Sequence, residues 1–326
     1  MSTDAHEIRP VYYDCDTGID DSMGLAYLLG SPEIQLVGVG TVSGNTEASQ
    51  AAENTLRLLG LAGRTDIPVA IGEAHFLTHA YPGGPTEIHG DNGIGNVELP
   101  PVDATPVSES AAEMIVRLST EHEGRLEIIS VGPMTNLARA LELDPNLPAR
   151  VRKVTSMGGA ALVPGNASPV GEANVWNDPE AAAAAVAASW PLTFVPLDVT
   201  LENVLEESHR TQLLSSERPL ARAVGEILDH YFDFYLPQYG RRCSALHDPL
   251  AAAIGVGSIV PVRSPWVDVQ IDATDGPGRG QTIPDLRGQR LGTTDRPGAH
   301  VRMVLATDRK LQDHLVERLT GTGERR

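Results

Sequence analysis

Short β-rich runs alternate with segments of helical pattern along the first 200 residues of the chain. The β-rich runs are RPVYYD (9–14), IQLVGVGTV (34–42), PVAIG (68–72), LEIISVG (126–132), VRKVTSMGG (151–159) and PLTFVPLDV (191–199). Helical patterns lie between several of these runs, at 45–62, 108–122, 134–143 and 178–188. Strands that alternate with helices form a parallel sheet joined by right-handed crossovers. The sequence therefore predicts an α/β fold, with an open, mostly parallel, Rossmann-like sheet flanked by helices.

From about residue 200 the pattern becomes more helical, with stretches at 218–240 and 247–257. Short strand-like pieces and a final helix near 308–319 follow them. We interpret this part as a helical C-terminal extension of the same domain. A single domain would then span 8–320, with flexible termini at 1–7 and 321–326.

The segment 73–107 interrupts the alternation of strands and helices. It contains YPGGP, HGDNGIG and LPPVDATP, so it is too long and too rich in Gly and Pro to be a simple connection. We interpret it as a candidate lid.

Composition and charge narrow the class of protein. Hydrophobic residues make up 41% of the 326 residues, as is typical of a globular protein. The excess of 43 acidic over 25 basic residues gives a formal net charge of -18, which repels phosphate backbones and anionic membranes. We therefore expect neither a nucleic acid nor a membrane as a partner. Two cysteines without a CxxC pair, and no apolar signal or membrane-spanning run, favour the cytoplasm.

Polar residues recur where the predicted strands end. In chain order they are the acidic stretch DCDTGIDD, SGN with Asn45, GPMTN, MGG at 157–159, then Asn166, Glu172 and Asn174, and Asp198 at the end of the sixth run. Ligands of an open parallel sheet bind outside the carboxyl ends of its strands. We therefore expect these groups to meet in one crevice.

Four aspartates, Asp14, Asp16, Asp20 and Asp21, lie within eight positions behind the first run. Like charges this close raise one another's pKa, so the group is costly unless a cation or a hydrogen-bonding ligand neutralises it. One aspartate before a helix is ordinarily an N-cap, but capping does not require four. Carboxylates without nearby His or Cys favour Ca²⁺ or Mg²⁺ over zinc. Because DCDTGIDDS lacks the Gly and Glu of an EF-hand loop, further ligands must come from elsewhere, and Asp248 in LHDPLAA offers one.

Several ordered motifs resemble the inosine-uridine-preferring nucleoside hydrolase family. The family signature Asp-x-Asp-Pro-Gly-x-Asp-Asp-Ala corresponds to DCDTGIDDS, with Thr17 in place of Pro and Ser22 in place of Ala. The resemblance continues through TVSGNTEASQAAENTLRLL, IHGDNGIG, SVGPMTNLARAL, VTSMGGA, GNASPVGEANVWNDPEAA and ALHDPLAA, with a weaker match near GQTIPDLRG and HVRMVLATD. It implies the nucleoside hydrolase fold, cleavage of the N-glycosidic bond of ribonucleosides, a role in nucleoside salvage, and a homodimer or homotetramer.

The resemblance also implies the residues of the site. A Ca²⁺ ion would be held by three carboxylates and a backbone carbonyl, those of Asp16, Asp21, Asp248 and Val131. The ribose hydroxyls would be bound by Asp20, Asn45, Glu172, Asn174 and the Met157 region, and the 5′-hydroxyl by Asn166. The base side of the pocket would be lined by His89, Tyr231 and Tyr235, with His247 facing the departing base.

The implied chemistry gives Asp16 and His247 different tasks. Cleavage passes through an oxocarbenium-like ribosyl cation, beside which the aspartates supply negative potential. Asp16 would act as general base on a calcium-bound water, and His247 would donate a proton to the leaving base. A lone histidine is more often structural, but its position next to Asp248 favours the catalytic assignment.

Some assignments have a second interpretation. His89 could equally be an exposed loop histidine. Tyr231 and Tyr235 could equally be core residues of their helix. Many members of the family carry Phe between the Glu and Asn that bind the sugar, whereas this chain has Ala173. The preference for purine or pyrimidine therefore stays open.

Two other functions compete with nucleoside hydrolysis. DCDTG resembles the Asp-x-Asp opening of haloacid-dehalogenase-like, Mg²⁺-dependent phosphatases, but Gly18 stands where that family has Thr or Val, and Asp20 and Asp21 stay unexplained. A non-catalytic, calcium-dependent nucleoside or ribose binding protein on the same fold is the other alternative. The presence of both Asp16 and His247 favours an enzyme.

Overall fold

The computed structural model describes residues 8–292 and 295–322. Of the termini predicted to be flexible, 1–7 and 323–326 lie outside the described residues. The strands are β1 (Arg9–Cys15), β2 (Ile34–Thr41), β3 (Val69–Ile71), β4 (Leu126–Ser130), β5 (Val151–Met157), β6 (Leu192–Val195), β7 (Val204–Glu206), β8 (Cys243–Ala245), β9 (Pro261–Arg263), β10 (Trp266–Val267), β11 (Val269–Ile271), β12 (Thr282–Pro284), β13 (Val301–Met303) and β14 (Ala306–Thr307).

The helices follow the predicted pattern, and a short 3₁₀ helix lies at Arg287–Leu291. They are α1 (Ile19–Leu29), α2 (Ala48–Leu61), α3 (Thr86–His89), α4 (Ala111–Glu121), α5 (Thr135–Leu143), α6 (Leu147–Arg150), α7 (Ala173–Asn177), α8 (Pro179–Ala187), α9 (Leu197–Thr200), α10 (Glu207–Leu214), α11 (Pro219–Tyr239), α12 (His247–Gly255) and α13 (Gln312–Thr320). Within the described ranges, none of them is both long and apolar enough to cross a membrane.

The central sheet has eight strands in the order β10-β13-β6-β5-β4-β1-β2-β3. Neighbouring strands from β13 to β3 are parallel, and only the short edge strand β10 runs antiparallel to its neighbour. Parallel neighbours require crossover connections, which the helices supply. The predicted open, mostly parallel sheet flanked by helices is confirmed.

Strand β1 shows why the predicted strands read as continuous apolar runs. Val11, Tyr13 and Cys15 face the core layer built with α1, α11 and α12, whereas Tyr12 faces the opposite layer, built with α4 and α5. All four side chains are fully buried. A strand covered by helices on both faces buries every side chain, so polar alternation is lost.

The predicted strand at 191–199 is wrong over its second half. Strand β6 ends at Val195, and the chain turns into the short helix α9. Pro196 lies between the two elements, and because proline has no N–H it cannot donate to a sheet ladder. Asp198 therefore lies in a helix and does not close the sixth strand.

The candidate lid at 73–107 is partly packed onto the rest of the fold. It contains the short helix α3, and the side chains of Phe76, Ile94 and Leu99 are buried. These apolar contacts anchor the segment at several points. Its closure over a ligand stays a prediction.

Candidate active site

A cluster of carboxylates forms where β1 ends and α1 begins. Asp16 follows β1, and Asp20 and Asp21 lie in the first turn of α1. Asp248 lies in the first turn of α12, which packs against α1. Carboxylate oxygens of Asp20, Asp21 and Asp248 lie within 4.8 Å of one another, and all three residues are buried. Residues far apart in sequence thus meet at the carboxyl edge of the sheet, as predicted.

Asn45, after β2, holds two of the aspartates in place. Its backbone N–H donates to Oδ2 of Asp16 at 2.6 Å, and its side-chain amide donates to Oδ2 of Asp21 at 2.9 Å. Asp21 also accepts hydrogen bonds from the backbone N–H groups of Asp16 at 3.0 Å and Gly18 at 2.9 Å. Asp21 is therefore fixed from three directions. Asn45, which was assigned to the sugar, contacts the carboxylates directly.

Gly18 is required by the close approach of two of these side chains. A Cβ atom at this position would lie 2.6 Å from Nδ1 of His89 and 2.7 Å from Nδ2 of Asn45. Both neighbours are held by hydrogen bonds, so neither moves away freely. This packing accounts for the glycine of DCDTG.

Burial and mutual repulsion raise the pKa values of the clustered carboxylates. Burial is the largest cause for each, followed by the charge of Asp21 for Asp16 and Asp20, and by the charge of Asp20 for Asp248. The pKa of Asp20 rises to about 7, and those of Asp16 and Asp248 rise well above the ordinary range. A positive charge placed among them would reverse these shifts.

The donor set fits a hard divalent cation. Oδ1 of Asp16 and Oδ1 of Asp20 are buried and have no hydrogen-bond partner within the described ranges. Buried carboxylate oxygens are ordinarily paired with donors or metals. Because the cluster offers oxygen ligands alone, it suits Ca²⁺ or Mg²⁺ better than zinc.

Glu172 and Asn174 connect the loop before α7 to the ends of β4 and β5. Glu172 accepts hydrogen bonds from the backbone N–H groups of Gly159 and Asn174, both at 2.9 Å. The side-chain amide of Asn174 donates to the carbonyl oxygens of Val131 at 2.7 Å and Met157 at 3.2 Å. The predicted metal ligand Val131 and three predicted sugar residues are thus brought together.

Asn166 differs from the other assigned residues in its exposure to solvent. It is the one member of the assigned set with an exposed side chain. Its Oδ1 accepts a hydrogen bond from the backbone N–H of Ala173 at 2.9 Å. In this structure Asn166 therefore stabilises the loop that precedes α7.

A group of three ring side chains, His89, Tyr231 and Tyr235, lies beside Asp20. The ring centroid of Tyr231 lies 5.6 Å from that of His89 and 4.9 Å from that of Tyr235. The Tyr231 hydroxyl donates to Oδ2 of Asp20 at 3.3 Å, and Nδ1 of His89 accepts from the backbone N–H of Ile19 at 3.2 Å. His89 is 4% exposed, so it is not an exposed loop histidine. Burial lowers its pKa to about 3.

His247, the first residue of α12, is buried next to the cluster. Its Nδ1 lies 2.8 Å from the hydroxyl oxygen of Thr200, whereas its Nε2 is buried and has no partner in the described part of the chain. Burial lowers the pKa of His247 to about 4. Sequence reasoning missed Thr200, because one threonine behind an apolar run carries no recognisable pattern.

Asp14 and Asp198 make structural contacts instead of joining the cluster. Asp14 accepts hydrogen bonds from the Tyr12 hydroxyl and the Asn136 amide, both at 3.0 Å. Asp198 accepts two backbone N–H groups of the loop after β5, each at 2.8 Å. Both aspartates therefore stabilise the structure around them, and neither is among the three carboxylates that lie together.

Comparison with known proteins gives one family over most of the chain. Residues 11–312 match the family model described as inosine-uridine preferring nucleoside hydrolase. The chain is 37% identical over 284 residues to probable uridine nucleosidase 2 of Arabidopsis thaliana, covering 87% of this chain and 85% of that protein. Two solved structures are similar: the plant nucleoside hydrolase PpNRh1, with a TM-score of 0.88, 30% identity and coverage of 96% and 99% of the two chains, and the purine-preferring ribonucleoside hydrolase from Gardnerella vaginalis, with a TM-score of 0.87, 31% identity and coverage of 96% and 98%.

Proposed function

The chain belongs to the inosine-uridine preferring nucleoside hydrolase family, and we propose that it cleaves ribonucleosides to ribose and free base with one Ca²⁺ ion, Asp16 as general base and His247 as leaving-group acid. The observation that carries this assignment is the buried carboxylate group of Asp20, Asp21 and Asp248, which lies next to His247 at the start of α12. Nucleoside hydrolysis itself follows from membership of the family.

Asp16, Asp21 and Asp248, with the Val131 carbonyl, would hold the ion. Support comes from the unpaired, buried Oδ1 of Asp16 and from the raised pKa values of the three carboxylates, which burial causes in each and which neighbouring aspartates raise further in Asp16 and Asp248. When bound, the ion neutralises these charges and makes a nearby water more acidic. We favour Ca²⁺ over Mg²⁺ because it accepts six to eight oxygen ligands in flexible geometry.

Asp16 is suited to take a proton from the attacking water. Its Oδ2 is fixed by the Asn45 N–H at 2.6 Å, while its Oδ1 is without a partner in the described residues. One oxygen therefore orients the carboxylate, and the other would contact both the ion and the attacking water, whose proton it would accept. A carboxylate held in this way needs no reorganisation during the reaction.

Ribose binding is assigned to Asp20, Asn45, Glu172, Asn174 and Met157, with Asn166 on the 5′-hydroxyl. Asp20 has one oxygen bonded to Tyr231 and one without a described partner, which leaves an acceptor for a ribose hydroxyl. The negative potential of the buried aspartates stabilises the positive charge that develops on the ribosyl group.

His247 would assist departure of the base, with His89, Tyr231 and Tyr235 lining that side of the pocket. Its Nε2 is buried and unpaired within the described chain, so it is available to the leaving group. Burial keeps the ring neutral at pH 7 by lowering its pKa to about 4. As the N-glycosidic bond breaks, the Nε2 proton of the neutral imidazole would move to the base nitrogen that carries the bonding electron pair, and the deprotonated ring would regain a proton from water when the products leave.

The test is release of reducing sugar from uridine, inosine and 2′-deoxyuridine, each with and without a chelator. The names of the relatives point to different bases, so a purine and a pyrimidine are both included. We expect ribose from at least one ribonucleoside, restored by Ca²⁺ after chelation. Loss of the 2′-hydroxyl leaves buried polar groups unpaired and should lower kcat/KM roughly 10²-fold. Tight nucleoside binding without ribose release would instead identify a binding protein.

A further inference from the structure

We propose that Thr200 is a positioning residue for His247: its hydroxyl donates a hydrogen bond to Nδ1 and thereby keeps the ring proton on Nε2. The proposal rests on the proposed function, since it explains how His247 is prepared to protonate the leaving base. Thr200 lies at the end of α9, and 47 positions separate it from His247 in the chain.

The contact between the two side chains is short and buried from solvent. Oγ1 of Thr200 lies 2.8 Å from Nδ1 of His247. Thr200 is fully buried and His247 is 4% exposed. Water is therefore a poor competitor for this hydrogen bond, and the orientation of the imidazole is set by a protein group.

The direction of the hydrogen bond follows from the hydrogen-bonding capacity of each group. A threonine hydroxyl has one proton to donate, and within the described residues its Oγ1 has no side-chain or backbone partner other than Nδ1 of His247. If Nδ1 donated instead, the buried hydroxyl proton of Thr200 would be left without an acceptor, which is costly. With Thr200 as donor, Nδ1 is an acceptor and the neutral ring carries its proton on Nε2.

The backbone segments that carry the two partners are tied to each other and to the end of β5 by hydrogen bonds. Leu197, at the start of α9, donates its N–H to the Gly159 carbonyl at 2.9 Å. Just beyond α9, the carbonyl of Asn203 accepts the N–H of Leu246 at 2.8 Å, and Leu246 directly precedes His247. The backbone carrying Thr200 is thus bonded to the backbone carrying His247. Such support keeps a catalytic group in a productive orientation.

A purely structural hydrogen bond would behave differently from a positioning one. Its loss would lower stability and would impair every substrate to the same extent. Loss of a positioning bond impairs only reactions in which the leaving group needs a proton. A nucleoside has such a leaving group, whereas p-nitrophenyl riboside loses nitrophenolate without protonation.

The experiment compares Thr200→Val, which keeps the shape but removes the hydroxyl, with Thr200→Ser, which keeps the hydroxyl. We expect Thr200→Val to lower kcat on inosine or uridine by roughly 10- to 10²-fold, part of the total effect of a general acid. KM should change little, the loss on p-nitrophenyl riboside should be below about threefold, and Thr200→Ser should recover most of kcat. The matched control is Thr135→Val, since the Thr135 hydroxyl makes another buried bond, to Asp178 at 2.7 Å. That control should affect both substrates equally.

Two further measurements separate positioning from stability. In a His247→Ala background, Thr200→Val should cause no additional loss on nucleosides, because Thr200 acts only through the ring. Nitrogen-15 NMR of labelled histidines, with the His247 signal assigned by difference from His247→Ala, should show the proton on Nε2 in the wild type.

Three results would overturn the proposal: equal losses on both substrates in Thr200→Val, an undiminished loss in the His247→Ala background, or a wild-type proton on Nδ1. The last measurement needs no Thr200 variant and no activity. If the enzyme released no ribose from any nucleoside, the proposed function would fail, while the NMR result would still decide whether Thr200 fixes the tautomer.

Discussion

The hydroxyl of Tyr231 donates a hydrogen bond of 3.3 Å to Oδ2 of Asp20, across 211 positions of the chain. Tyr231 comes from the long helix α11 of the C-terminal extension, and Asp20 from the first turn of α1. Burial, followed by the charge of Asp20, raises the pKa of Tyr231, so the phenol stays protonated and acts as the donor. The aromatic side of the site is thereby linked to its carboxylates.

Tyr231→Phe should reveal which side of the substrate this hydrogen bond serves. Removing the hydroxyl leaves the Asp20 carboxylate with one donor fewer, and hydrogen bonds to charged groups contribute about 1.5–3 kcal/mol. If Asp20 binds ribose, kcat/KM should fall roughly tenfold on uridine, inosine and p-nitrophenyl riboside alike, because all three share the sugar. Tyr239→Phe, two turns further along α11, is the control. A loss confined to the two nucleosides would mean that the hydroxyl contacts the base.

Most of the fold could be predicted from the sequence because its buried strands are continuous apolar runs. Val11 to Cys15 lie in a sheet with helices on both faces, and the run ends where the aspartates begin. The order of the strands in the sheet could not be predicted from the sequence, since β13 has only three residues and pairs with β6, which is distant in the chain. The error at 191–199 has a local cause, because Pro196 ends an apolar run that otherwise reads as one strand.

The residues of the site could be predicted from the sequence where they are close together in the chain. Asp16, Asp20 and Asp21 were recognised because several carboxylates in one turn are costly without a ligand. Thr200 was not recognised, since its role depends on a contact with His247 that only the folded chain creates. Asp20 was assigned to the sugar alone, whereas the structure also brings it within 4.8 Å of Asp21 and Asp248.

Asp248→Asn should separate cation binding from folding. In metal-free protein the substitution removes a carboxyl group whose charged form is disfavoured by burial and by the neighbouring aspartates, so the variant should be at least as stable as the wild type. Added Ca²⁺ at 100 times its Kd should stabilise the wild type by about 2.7 kcal/mol and the variant hardly at all. Thermal unfolding with and without Ca²⁺, together with elemental analysis, measures both effects. Asp66→Asn removes an exposed carboxylate outside the cluster and should behave as the wild type. Equal stabilisation of Asp248→Asn would contradict the ligand assignment.

His89→Asn should make stability less sensitive to acid. Burial, followed by the nearby His230 and His247, lowers the folded pKa of His89 to about 3, against about 6.5 in the unfolded chain. Below pH 6.5 the unfolded state therefore binds a proton that the native state does not, and stability falls by up to about 1.4 kcal/mol per pH unit as pH decreases toward 3. Asn keeps an acceptor for the Ile19 N–H but does not titrate.

The measurement for His89→Asn is the free energy of unfolding between pH 4.5 and 7.5. The variant and the wild type should run parallel above pH 6.5, and below it the wild type should lose stability faster. His79→Asn replaces an exposed histidine and serves as the control. Parallel curves for His89→Asn and wild type over the whole range would show that His89 is protonated equally in both states.

Asp16→Asn and His247→Ala should separate the two halves of the reaction. Asp16 acts on water, which every substrate needs, so Asn at this position should abolish hydrolysis of nucleosides and of p-nitrophenyl riboside alike. His247 acts on the base alone, so its loss should cost about 10²- to 10⁴-fold on inosine or uridine. On the activated riboside the cost should be much smaller, because nitrophenolate departs without a proton and the carboxylates beside the ribosyl cation are unchanged. The measurement is the steady-state kcat/KM of both variants on a nucleoside and on p-nitrophenyl riboside. Equal impairment of His247→Ala on the two substrates would replace the leaving-group role with a structural or sugar-binding one.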